Sequence, residues 1–349
     1  MRRFFAFMRR ERLYILLLVF VLLMTAIMLM PVEERQKAKA AEAAGQKQGR
    51  QKMLPQQVEV EKILAKDKDL ALVLGLASLL FILVVLLGIV VDLLLVVSRC
   101  AGNKLSITTR MPGTVRWGVW DICRVAILFL FFGYCLLIIE AFLSRVFPIV
   151  KDDNFRMILN SSILDSLTVF LILYYTVGQY KEKLSSLGLT LKNFTRNVFY
   201  GIAGYVAAVP VLVGILLVIA FLASVFKYVP EKQAVVELFL KEKNAPLLVY
   251  TSLFAAIAGP VIEELFFRGF MYNACRKYVG IFWATLISAA TFAGLHAHAV
   301  GFFPIMVLGI LLAYLYEKTG SLVSSITVHM IHNLSMVGMI FLVKRLGIY

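Results

Sequence analysis

Residues 70–98 read LALVLGLASLLFILVVLLGIVVDLLLVVS and hold one ionisable side chain, Asp92. About 20 apolar residues in helical conformation cross the roughly 30 Å hydrocarbon core of a bilayer. This run reaches that length before Asp92, which therefore falls near its end. Lipid offers no partners for backbone N–H and C=O groups, so only a helix satisfies such a segment from within. Similar runs occur at about 13–31, 119–147, 157–178, 197–226, 246–267, 280–300, 302–317 and 321–343. The pattern predicts an all-α, polytopic transmembrane bundle of about eight or nine helices, with its chemistry buried between the C-terminal ones.

Composition agrees with the runs. The 349 residues are 61% hydrophobic and 16% charged, against about 25% charged in a soluble domain. The net charge of +15 sits between apolar runs, so it points to retention on one side of a membrane rather than to nucleic acid. Cys100, Cys123, Cys135 and Cys275 are scattered without CxxC or ligand spacing; they read as small hydrophobes, not as disulfides or a zinc site.

The chain divides into four parts. Residues 1–31 read as a retained membrane anchor and 32–69 as a polar extramembrane arm rich in Ala, Gln, Lys and Glu. Residues 70–226 carry the first group of long helices, and 246–343 carry a catalytic helix core. Lys and Arg cluster at the N-terminus, at Arg99–Arg116, at Lys181–Arg196 and at Arg268–Lys277. These alternate loops place the N-terminus in the cytoplasm by the positive-inside rule. The expected setting is an integral, multi-pass protein of a prokaryotic plasma membrane.

Ionisable groups inside a membrane are costly and usually functional. Asp92, Asp121, Arg124 and Glu140 lie near predicted helix ends and read as interfacial groups. Asp165 lies deeper, among Asn160, Ser161, Ser162 and Ser166, and reads as part of a satisfied polar patch. Glu263 and Glu264 stand apart, following Gly259-Pro260 inside an apolar run. Adjacent helical residues project about 100° apart, so the two carboxylates are expected to do different work. Arg268 lies four residues after Glu264, at ion-pair spacing, which leaves Glu263 the freer carboxylate.

All four histidines, His296, His298, His329 and His332, fall in the last 54 residues. A tight turn near Tyr278-Val279-Gly280 folds the sixth and seventh helices into an antiparallel hairpin and sets Glu263 opposite His296. Reflection through the turns near Gly301–Pro304 and Thr319–Gly320 brings in His329 and Asn333. Three helices are thus expected to deliver Glu263, His296, His329 and Asn333 to one depth, in the cytoplasmic half. A carboxylate facing an imidazole deprotonates a water; an imidazole and an amide donate toward an oxyanion. Together they suit hydrolysis of an amide bond without a Ser, Cys or Thr nucleophile. Zinc on Glu263, His296 and His329 is the competing chemistry, and the metal-free reading is preferred.

Glu263-Glu264-Leu265-Phe266-Phe267-Arg268, Phe292-Ala293-Gly294-Leu295-His296 and His329-Met330-Ile331-His332-Asn333 resemble, in order and spacing, the EExxxR, FxxxH and HxxxN motifs of the CAAX prenyl protease and bacteriocin-processing (CPBP) family of intramembrane endopeptidases. The resemblance covers roughly residues 246–340. It implies Glu263 as general base, His296 positioning the water, His329 and Asn333 forming the oxyanion pocket, and Glu264 with Arg268 supporting the site. It implies a glutamic or metallo-endopeptidase acting on a peptide or membrane-protein substrate, by CAAX-type or leader-peptide processing. His298 and His332 inherit no role. Two other readings use the same helices: a non-catalytic scaffold or bacteriocin-immunity protein, and a proton-coupled transporter.

Overall fold

The computed structural model describes residues 10–29, 63–102, 114–147, 152–228 and 233–347. Helix is the only regular structure among them. In chain order the helices are α1 (Arg12–Leu29), α2 (Lys68–Cys100), α3 (Val119–Leu143), α4 (Asp153–Leu173), α5 (Phe194–Val225), α6 (Ala234–Lys241), α7 (Ala245–Leu253), α8 (Gly259–Glu264), α9 (Asn273–Leu295), α10 (Phe302–Thr319) and α11 (Leu322–Leu346). π-Helical turns at Tyr174–Gln179, Phe254–Ala258 and Leu265–Tyr272 extend α4 and join α7, α8 and α9. Among the described residues eight helical segments are long and apolar enough to cross a membrane. The chain is an integral, multi-pass membrane protein.

One of those segments runs without interruption from Ala245 to Leu295 and folds back on itself. Gly280 breaks it with φ 77° and ψ 178°, a backbone conformation open to glycine and costly for residues with a Cβ. The two arms pair across this turn. Ser288 Oγ donates to the Phe267 carbonyl at 3.1 Å, and the Phe267 and Phe292 rings meet edge to face at 5.1 Å. The expected hairpin about Val279–Gly280 is present. The first arm does not end near residue 267, however. It continues to the turn, so Glu263 and Glu264 lie inside a helical span and not at its exit. Arg268 is fully buried there and does not belong to a basic loop.

Residues 32–62 lie outside the described residues, as do the anchor's first nine. From Ile63 the chain is helical, and Asp67 caps α2 by accepting the Leu70 N–H at 2.9 Å. That N–H and Arg345, 2.8 Å away, hold the Asp67 carboxyl below its usual range. Between α5 and α7 lies α6, whose Leu238, Phe239 and Leu240 are buried. Lys344 Nζ on α11 donates to the carbonyls of Phe239 and Glu242.

Close approaches set the helix packing. Pro210 inside α5 lacks an N–H and crowds the carbonyl four residues back, that of Val206. This carbonyl and the Pro210 ring lie against Gly88 of α2, where a Cβ would come within 2.6 Å of Pro210 Cδ. At Gly309 of α10 an added Cβ would likewise come within 3.0 Å of Ala289 of α9. Replacing Gly88 by Val should therefore lower thermal stability in detergent by about 1–3 kcal/mol, the usual cost of overpacking. Gly75→Val, on the same helix with nothing within 4 Å, should leave the melting temperature unchanged.

Candidate active site

The local fold around the two glutamates follows from Gly259-Pro260. Proline cannot donate to the helix ladder, and the turn before it widens: the Gly259 N–H reaches back five residues to the Phe254 carbonyl. The stretch after Glu264 widens again, from Leu265 to Tyr272. π-Turns inside α-helices are rare and concentrate at functional sites. Here they bracket Glu263 and Glu264.

His329, on α11, is 2% exposed and addresses both carboxylates. Its Nδ1 lies 3.1 Å from Glu264 Oε1 and its Nε2 lies 3.5 Å from Glu263 Oε2. Beyond Glu264, Arg268 Nη1 donates to the same Oε1 at 2.7 Å, and Arg268 Nη2 donates to the Gly309 carbonyl at 3.2 Å. Both members of this ion pair have fully buried side chains. Glu263 is different: its side chain is 36% exposed. Each glutamate keeps a buried Oε2 without a hydrogen-bond partner, so the contrast between them lies in exposure and in the Oε1 pairing of Glu264. One is locked and the other opens outward.

Phe292 joins the parts. The Arg268 guanidinium lies 4.6 Å from its ring centroid. The His296 ring meets it at 4.7 Å and the His329 ring at 5.4 Å, both edge to face. His296 caps α9, with Nδ1 at 2.8 Å from the Phe292 carbonyl, and its side chain is exposed. His296 therefore reaches the neighbourhood of His329 through Phe292. In the sequence Phe292 is recognisable only as the residue four before His296.

Asn333 Nδ2 donates to the Ala255 carbonyl at 2.9 Å. Ala255 lies in the first π-turn, where the helix ladder is disturbed and a carbonyl is available. The bond uses one of the two amide hydrogens and fixes the amide plane. Among the described residues no three His, Cys, Asp or Glu side chains converge closely enough to hold a metal ion. His296 Nδ1 faces its own helix, and both ring nitrogens of His329 face carboxylates.

Three residues set aside in the sequence reading take on definite places. Asp165, on α4, interacts electrostatically with Glu263. It is not satisfied by the serines around it: Ser161, Ser162 and Ser166 each donate to a carbonyl of their own helix. His332 interacts electrostatically with His329 and His296, meets Tyr205 of α5 edge to face at 6.0 Å, and has a buried Nδ1 without a partner. His298 accepts the Gly301 N–H at the start of α10. Its loop borders a cavity of about 350 Å³ beside His296, walled by Ala293, Gly294, Phe302 and Phe303. Asp121 and Glu140, expected at the interface, are buried. Asp121 pairs with Arg124 at 2.7 Å, and Glu140 faces Arg156 at 3.9 Å rather than Arg145.

Residues 245–335 match the family model described as type II CAAX prenyl endopeptidase Rce1-like. That range starts at α7 and ends on α11, so it takes in every residue of the constellation above. The chain is also similar to the "putative membrane peptidase YdiL" of Bacillus subtilis (strain 168), with 31% identity over 88 residues. The aligned stretch covers 25% of this chain and 35% of that protein, so the chain spans about a third of the length of the curated relative it matches. No solved structure matches with significance. The resemblance read from the three motifs is borne out over this core.

Removing one partner of a buried ion pair strands the other charge, at about 3–5 kcal/mol. Arg268→Met should lower thermal stability by an amount in that range. Adding Glu264→Gln to it should restore a substantial part, measured by melting of the purified protein in detergent.

Proposed function

We propose that this chain is an intramembrane endopeptidase that hydrolyses a peptide bond with a water activated by Glu263. The observation that carries the reading is the contrast between two adjacent carboxylates. Glu264 is fully buried and pairs through Oε1 with Arg268 and His329, whereas Glu263 is partly exposed and lies 3.5 Å from His329. The Rce1-like match and the similarity to a membrane protein named as a peptidase support the same class.

In this mechanism Glu263 takes a proton from the water as its oxygen attacks the carbonyl carbon. His296 lies at the open edge and orients that water. The carbonyl becomes an oxyanion and accepts a hydrogen bond from the second amide hydrogen of Asn333, whose plane Ala255 fixes. His329 is oriented by Glu264, with Nδ1 donating to that carboxylate. Donating from both nitrogens, the ring also turns its Nε2–H toward Glu263 and the reacting centre, where that hydrogen helps stabilise the oxyanion. The C–N bond breaks, and Glu263 returns its proton to the leaving amine. Glu263, His329 and Asn333 lie on helices, and His296 caps the end of α9. Because Glu264 and Arg268 hold one another, neither competes with Glu263 for the water. A prenylated C-terminal tail or a leader peptide is the proposed substrate class, and the N-terminus is placed in the cytoplasm.

Glu263→Gln keeps size and hydrogen-bonding capacity and removes the base. It should lower cleavage of a fluorogenic peptide library by about 10²–10⁴-fold with an unchanged melting temperature. Retained cleavage would sink the assignment. A metal chelator should leave wild-type cleavage unchanged; inhibition reversed by added zinc would replace the glutamic mechanism with a metal-dependent one. Asn333→Ala should lower kcat by about 10²–10³-fold, the usual cost of losing one oxyanion donor, and affect KM far less.

A further inference from the structure

At the end of the bundle that carries Gly280 lies a second polar cavity, of about 330 Å³. It is lined by Arg10, Arg116, Trp120, Tyr180, Lys277 and Tyr278, with Asp121 and Arg124 at its back. It lies apart from the glutamate and histidine cluster, and the peptidase reading makes no use of it. We propose that this cavity binds the phosphate headgroup of an anionic membrane lipid.

The charges are sorted by depth. Arg124 is 12% exposed and fully engaged: Nη1 contacts Asp121, and Nε and Nη2 contact Glu11. Both acids are buried. Burial alone pushes the Glu11 carboxyl up, but the hydrogen bonds from Arg124 and Arg10 outweigh it and hold Glu11 ionised. The inner layer therefore holds two carboxylates against one guanidinium, and the cations of the outer layer outnumber that excess. The outer layer is cationic and partly unspent. Arg10 is 70% exposed and uses Nε on Glu11. Arg116 is 69% exposed, donating from Nη1 to the Tyr180 carbonyl and lying 3.6 Å from Glu182 through Nε. Among the described residues this leaves both terminal nitrogens of Arg10 and Nη2 of Arg116 to face an anion. A guanidinium fork matches phosphate oxygens in a bidentate way. Lys277 adds a third cation, held over the Tyr278 ring and anchored on the Trp117 carbonyl at 2.6 Å.

Position selects a lipid over a soluble anion. The cavity lies where α3 begins, where α4 ends and where the α9 hairpin turns, which is the end of three spanning segments. Trp120 and Tyr278 are exposed beside it, as aromatic residues are at the headgroup level of a bilayer. Basic pockets between spanning helices at that level take lipid headgroups. At about 30 Å³ per water, the volume holds roughly ten waters and has room for a phosphate diester. Gly118 also belongs to the lining; a Cβ there would press on the Tyr278 hydroxyl at 2.9 Å and narrow the site.

The test is native mass spectrometry of the full chain released from micelles holding equal phosphatidylglycerol and phosphatidylcholine. Wild type should retain phosphatidylglycerol preferentially. Arg10→Gln with Arg116→Gln should weaken that preference by about fivefold per arginine, about twenty-five-fold in all, with an unchanged melting temperature. Arg10→Lys with Arg116→Lys should keep most of it. Lys241→Gln with Lys243→Gln, two exposed cations in and after α6, should keep all of it. An unchanged preference in the double glutamine variant would overturn the site, as would an equal loss in the α6 control. Displacement of the retained lipid by millimolar inorganic phosphate would show a soluble-anion site instead and overturn the lipid assignment.

Discussion

The buried pair of Glu264 and Arg268 is the constraint around which the C-terminal helices are arranged. Two full charges with no solvent exposure survive in an apolar bundle only when each is answered at close range. The answers come from three elements. Arg268 reaches the Gly309 carbonyl on α10 and the Phe292 ring on α9, and Glu264 reaches His329 on α11. Each answer fixes a helix. Gly309 is bare so that α10 can approach α9, Phe292 faces inward to cover the guanidinium, and His329 is held by one nitrogen with its other nitrogen toward Glu263.

A costly buried charge in this way becomes a positioning device. The EExxxR spacing makes Arg268 the answer to Glu264 from one turn away, and it spares Glu263 from being drawn into the same pair. The π-turns on either side do complementary work. Pro260 disturbs the ladder ahead of the glutamates, and the first π-turn absorbs that disturbance while leaving the Ala255 carbonyl available to Asn333. Backbone irregularity is tolerated at membrane depth where it is buried in protein and its polar groups find partners. Both irregular turns here meet α11, which carries His329 and Asn333.

Much of this was legible in the residues because the signals are local. Run length implied spanning helices, glycine marked the hairpin at 280, and i,i+4 spacing paired Glu264 with Arg268. Mirror counting through the turns brought α8, α9 and α11 together, and the three motifs implied the family whose core the match at 245–335 bears out. What escaped was of two kinds. Charged residues near helix ends were read as interfacial, whereas Asp121 is buried beside Arg124, and Glu11 from a distant segment closes over the pair. Asp165 was read as satisfied by nearby serines, but hydroxyls on a spanning helix turn to their own backbone and leave it facing Glu263.

The amino-acid sequence by itself determined the all-α membrane architecture, the hairpin and the identity of the polar constellation. Hydrophobic length, glycine conformation and residue spacing are properties of the chain alone. Only the tertiary structure decided how that constellation divides its labour. That His329 touches both glutamates, that Phe292 meets Arg268, His296 and His329, and that Asn333 is braced by Ala255 depend on where side chains of different helices meet. Inside an apolar bundle a polar group has few partners to choose from. Which partner it takes is settled by packing and not by its neighbours in sequence.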